Sequence, residues 1–107
     1  MLVVLLLIVG GVMLDHIGFS KAHLFIAEAV PGAFNGMTQA PWLDNFATAV
    51  YFSFVTITTL GYGDISPALP LARFLVYMEA FVGVFYMAIL VASLIGVRMS
   101  DREAARK

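Results

Sequence analysis

Cysteine is absent from this 107-residue chain, which leaves it neither a disulfide framework nor a thiolate metal site. Charge is scarce as well: 12% of residues are charged and the net charge is −1, which singles out no partner by electrostatics. The chain has no phosphate-cradling glycine loop, no basic stripe suited to nucleic acid, and no Ser, His and Asp set at a catalytic spacing. Neither an enzyme nor a nucleic-acid partner is therefore expected. Arginine repeated at every third position, the mark of a voltage sensor, is missing too. What fills the chain is apolar: 62% of residues are hydrophobic and the mean hydropathy is +0.96, outside the range of ordinary soluble domains. Such a composition belongs in a lipid bilayer. The length leaves room for two spanning helices and a connecting region, and none for a separate sensor or enzyme domain.

Against that background the stretch Thr58-Thr59-Leu60-Gly61-Tyr62-Gly63-Asp64 stands apart. Two glycines flank a tyrosine, a choice that suits no spanning helix. Gly61 and Gly63 lack a Cβ, so alternate residues can adopt φ > 0 and turn successive carbonyls toward one side. A row of oxygens aimed one way is a cation ligand. Irregular backbone at membrane depth is tolerated where it lines a water-filled path or is buried in protein, so the stretch is expected to line a pore.

Thr59-Leu60-Gly61-Tyr62-Gly63-Asp64, preceded by Thr56-Ile57-Thr58 and followed by Ile65-Ser66-Pro67, resembles the selectivity filter of potassium channels. The resemblance extends back through Ala49-Val50-Tyr51-Phe52-Ser53 and forward to Arg73 and Gly83, covering more than half of the chain. It implies an all-α membrane protein of two transmembrane helices with a re-entrant pore helix and filter loop, assembled as a homotetramer. In that arrangement the carbonyls of Thr59, Leu60, Gly61 and Tyr62 stack as oxygen rings around permeant K⁺. The Thr59 hydroxyl forms the innermost ring and Gly63 completes the outer mouth. No organic cofactor is implied. Tyr51, Phe52 and Val55 would support the filter from behind, Tyr62 would pack among the aromatics, and Asp64 would stand at the mouth. A turn-capping Asp64 and an ordinary core Phe52 are the competing accounts. Two departures matter. Leu60 stands where many members have Val, and Val55 where some bacterial members carry a glutamate paired with the filter Asp.

Taken in order, residues 1–20 read as the outer transmembrane helix, with an apolar run from Leu2 to Leu14 that is short for a span unless it continues to about Phe19. A cleaved signal peptide is the competing account of that run. Residues 21–42 read as a water-exposed turret, with Leu24 to Val30 as a short interfacial helix stopped by Pro31-Gly32. Residues 43–58 read as the pore helix, capped by Asp44 or Asn45 and too short to span, with the negative end of its dipole aimed at the filter. Residues 59–64 form the filter, 71–97 the inner transmembrane helix and 98–107 a tail carrying four basic residues. Those charges assign the tail to the cytoplasm and the filter and turret to the outside, with a plasma or inner membrane as the expected location.

Glu79 is an isolated acid within the second apolar segment, a functional suspect by position. It is expected to hydrogen-bond the pore helix or a neighbouring subunit, with a pH-sensing role as the alternative. Gly83 is a candidate hinge by resemblance, or a small-residue packing point against the first helix. Val84, Met87, Val91 and Ile95, three or four apart, are candidates for the inner cavity and gate, or else lipid-facing surface. His16 and His23, with no acid or cysteine at metal-ligand spacing, are expected at the interface or in the turret. The short first helix suggests a pore module whose sensor or regulatory segments lie elsewhere. A weakly selective cation channel on the same scaffold and a non-conducting helical anchor are the competing functions.

Overall fold

The computed structural model describes residues 2–37 and 40–107. Met1, at the head of the expected outer helix, and the turret residues Thr38 and Gln39 lie outside the described residues. The elements run α1 (Leu2–Ala29), β1 (Phe34–Asn35), α2 (Trp42–Ile57), β2 (Ser66–Pro67) and α3 (Pro70–Arg106). The fold is mostly helical, and α1 and α3 are each long and apolar enough to cross a membrane.

α1 has 28 residues, about 42 Å at 1.5 Å per residue, so it does not end near Ser20 as expected. The separate interfacial helix expected over Leu24 to Val30 is instead the last turn and a half of α1, which stops at Ala29. Nothing between Lys21 and Ala29 breaks a helix. Of the polar residues there His23 is fully buried within the fold, whereas Lys21 and Glu28 are exposed on a helix that simply continues. Termination comes where Pro31-Gly32 forces it, with Gly32 at φ 82°.

α2 begins after Pro41 in extended geometry (φ −50°, ψ 146°) with no side-chain cap, contrary to the cap expected from Asp44 or Asn45. The amide of Asn45 turns outward and donates to the Ala40 carbonyl at 2.8 Å. Asp44 still places a negative charge in the first turn, where the helix dipole favours it. α3 starts with Pro70, whose missing N–H costs nothing at a helix start. It continues unbroken for 37 residues, about 55 Å, so the expected division at Val97 is not a break in the backbone.

A small clasp closes the end of the fold where α1 stops. β1 pairs antiparallel with β2 through Phe34 with Pro67 and Asn35 with Ser66, a pairing no sequence pattern announced. The Ala33 carbonyl accepts from the Ala68 amide at 2.8 Å. At Gly36 (φ 82°) any Cβ would strike the Asp64 carbonyl, so the clasp grips the segment just beyond the filter stretch. Beneath it lies the core: Ala33, Phe34, Phe52, Ile65 and Ala72. Elsewhere α1 and α3 leave Leu7, Leu14, Phe81 and Phe85 exposed, a surface suited to lipid or to neighbouring chains.

Candidate functional site

The C-terminal end of α2 unwinds into the candidate site in three steps. The Thr58 amide still bonds the Phe54 carbonyl at 3.1 Å, the Thr59 amide tightens to Thr56 at 3.0 Å, and the Gly61 amide reaches back to Val55 at 3.2 Å. Beyond this the chain alternates: Thr59, Gly61 and Gly63 have φ of 59°, 58° and 82°, whereas Leu60 and Tyr62 between them are not in the left-handed region. Alternating hand along a chain aligns successive peptide dipoles, with N–H groups to one side and carbonyls to the other. The two glycines take this conformation without steric penalty. Thr59 does not: a β-branched residue at positive φ is strained, at a cost of about 1–3 kcal/mol. That strain is held at the point where the negative end of the α2 dipole meets the loop.

Behind the loop, the Tyr51 hydroxyl donates to Oδ2 of Asp64 at 2.8 Å, tying α2 to the far end of the stretch. That bond, followed by desolvation, holds the Tyr51 phenol above its ordinary range. Phe52 faces the other way, into the core beside Phe34, with ring centroids 5.5 Å apart. Val55 is buried as well, and no acid is available there to meet Asp64. Leu60 and Tyr62 are 56% and 69% exposed in the single chain. Tyr62 stacks on no ring of its own chain among the described residues, so the packing expected among Tyr51 and Phe52 is not made within one copy.

Glu79 is not isolated. Its carboxylate accepts from the Ser53 hydroxyl of α2 and lies 2.6 Å from Nε2 of His23 on α1. His16 joins the same cluster, with Nδ1 2.9 Å from the Ser53 oxygen. Both histidines are therefore inside the helix bundle, not at the interface or in the turret. A spacing of seven on α1 puts them on one face two turns apart, the one signal from which this burial could have been read.

Gly83 lies one turn beyond Glu79 and packs against α2, not α1: a Cβ there would collide with the Ile57 carbonyl. Its smallness is a matter of packing in this conformation. On the far side of that contact, Val84, Met87, Val91 and Ile95 line an apolar hollow of about 510 Å³ together with Thr58 and Thr59. The four residues picked by spacing thus share one concave face with the inner end of the loop.

A loop of alternating backbone hand, seated at the end of a helix too short to span and flanked by two helices that can, defines a membrane pore element. Comparison with known proteins agrees. A family model described as ion channel matches residues 1–99. Over 94 residues the chain is 34% identical to the inward rectifier potassium channel Kirbac3.1 of Paramagnetospirillum magnetotacticum, covering 88% of this chain and 29% of that protein. Over 75 residues it is 36% identical to two pore potassium channel c of Oryza sativa subsp. japonica, covering 70% of this chain and 16% of that protein. The chain belongs to the ion channel family, as a potassium-channel-type pore domain, and is an integral membrane protein. It spans less than a third of the length of either relative.

Proposed function

We propose that this chain is the pore-forming unit of a potassium-selective channel, four copies of which meet around a common axis and pass K⁺ down its gradient. Thr59, Leu60, Gly61 and Tyr62 supply rings of carbonyl oxygens that replace the hydration shell of the ion, with Gly63 at the mouth. One observation carries this: φ is positive at Thr59, Gly61 and Gly63 in succession, directly after the C-terminus of α2. The relatives support the ion assigned, since both are potassium channels.

In this account α2 is a re-entrant pore helix, residues 59–64 are the filter, and the extracellular face carries the clasp. The basic end of α3, with Arg98, Arg102, Arg106 and Lys107, faces the cytoplasm of a plasma or inner membrane. Val91 and Ile95 form an apolar constriction at the inner end of the hollow, able to close by dewetting. Leu60 and Tyr62 become covered when a second copy docks beside the filter.

Flux through the purified chain in liposomes tests the assignment. K⁺ uptake blocked by Ba²⁺, and abolished by Gly61→Ala, is the expected result. Na⁺ passing as readily as K⁺ would favour a weakly selective cation pore, and no flux at all would favour an anchor.

A further inference from the structure

Asp64, the residue at the outer end of the filter stretch, is held from two sides within one copy of the chain. Its Oδ2 accepts from the Tyr51 hydroxyl on α2 at 2.8 Å. Its main-chain carbonyl lies against Gly36, the residue that follows β1, where a Cβ would strike the oxygen and sit 3.2 Å from the carbonyl carbon. The stretch before it is different. Gly61 and Gly63 face open space in the single copy, and Leu60 and Tyr62 are exposed. The inner half of the loop is tied to α2 where the Gly61 amide donates to the Val55 carbonyl at 3.2 Å. Tyr62 and Gly63 are therefore strung between two fixed points, Gly61 and Asp64.

The outer of those points is only as firm as the clasp behind it, and the clasp is anchored at every step. Phe34 and Ile65, one from each side, are 5% and 8% exposed and pack with Phe52 and Ala72 in the core. Asn35 stands opposite Ser66, and its Nδ2 donates to the Ser66 hydroxyl oxygen at 3.3 Å. The Ala33 carbonyl accepts from the amides of Ala68 and Leu69 at 2.8 and 3.4 Å. Nε of Arg73 donates to the Pro67 carbonyl at 3.3 Å, which carries the connection onto α3. None of these contacts lies on the ion path, yet all converge on the segment that leads straight out of the filter.

We propose that the β1–β2 clasp positions the outer end of the filter, and that Gly36, which touches no ion, is the positioning residue through which the turret sets ion specificity. Where the Asp64 carbonyl lies decides where the neighbouring Tyr62 and Gly63 carbonyls point. Whether K⁺ is chosen by the size of the cage or by the number of its oxygens, those oxygens must stay in place, and a site keeps its selectivity only while its parts hold within about 0.5 Å. A methyl group at position 36 cannot share space with the Asp64 carbonyl, so the strands must part or the carbonyl must turn. Either motion frees Tyr62 and Gly63 to close on a smaller ion or to lose an oxygen ring. Backbone hand alone does not set Gly36 apart: Gly32, at the end of α1, has the same φ of 82° with open space around it. The contact with Asp64 is what differs.

The role of the clasp rests on the pore assignment, and one experiment separates the two. The full chain is reconstituted in planar bilayers with K⁺ on one side and Na⁺ on the other. The reversal potential is read for the parent, Gly36→Ala, Gly32→Ala and Ala68→Pro, each first matched to the parent's number of copies by native mass spectrometry. Gly36→Ala is expected to lower the K⁺ to Na⁺ permeability ratio roughly tenfold, well inside the roughly hundredfold that a misplacement of about 1 Å costs a positioned site. In potential that is a shift of about 59 mV toward zero. Gly32→Ala imposes the same backbone strain without the contact and is expected to keep the parent's ratio. Should Gly36→Ala not assemble, Ala68→Pro decides alone: it removes the amide that bonds Ala33, adds nothing at Asp64, and is expected to lower the ratio roughly threefold. A selective parent with an equally selective Gly36→Ala, or with an unshifted Ala68→Pro where that variant decides, overturns the proposal and leaves the pore standing. So does a loss in Gly32→Ala as large as that in Gly36→Ala, which would make strain and not contact the cause. A parent that passes no K⁺, or passes Na⁺ as readily, overturns both.

Discussion

At the scale of single residues, backbone hand and side-chain size decide most of what can be tested. Gly61 sits at φ 58°, where an alanine would cost about 1–2 kcal/mol. In four copies that strain is expected to abolish K⁺ flux from Gly61→Ala while circular dichroism shows unchanged helix content. Gly83→Val would drive a side chain into the Ile57 carbonyl, at about 1–3 kcal/mol of overpacking. Its melting temperature in detergent is expected to fall by several degrees, whereas a Gly83 serving only as a flexible joint would leave it unchanged or higher. Tyr51→Phe removes the donor to Asp64 and is expected to reduce K⁺ over Na⁺ selectivity, read as a shift of the mixed-ion reversal potential toward zero. Gly61 and Gly63 were legible as positive-φ positions because glycine is the residue that takes them freely. Thr59 was not, because its conformation is imposed by its neighbours against its own preference. His16 and His23 were misplaced for a related reason: polarity alone does not say whether a residue leaves the membrane or finds a partner within it.

Among the elements, composition told kind better than extent. Both long helices follow from predominantly apolar sequence, and α2 from its length and its position before the loop. The end of α1 was misjudged because Lys21, His23 and Glu28 look like a departure into water, yet a helix stops only where backbone chemistry stops it, at Pro31-Gly32. The start of α2 needed no side-chain cap because Pro41 already supplies the extended entry. The β1–β2 clasp lay beyond reach, since two-residue strands carry no periodicity. For α3, spacing named Val84, Met87, Val91 and Ile95 but could not select their face in a helix apolar all round. The hollow they share with Thr58 and Thr59 selects it. If Ile95 helps form a dewetting constriction, Ile95→Ser should hydrate it and raise the fraction of time single channels are open. Unchanged openings in bilayer recordings would place the gate elsewhere.

Considered whole, one copy is a long, thin bundle with much apolar surface exposed. It measures 63 × 24 × 19 Å and leaves Leu60 and Tyr62 open at the centre of its most specialised stretch. Native mass spectrometry in detergent is expected to find four copies, and a monomer would leave the carbonyls no ring to form. The most direct measurement is the reversal potential of the purified chain in a planar bilayer, with K⁺ concentration varied on one side and Na⁺ making up the balance. A potassium-selective pore shifts that potential by about 59 mV for each tenfold change in K⁺. A potential that stays near zero while Na⁺ replaces K⁺ would contradict the account.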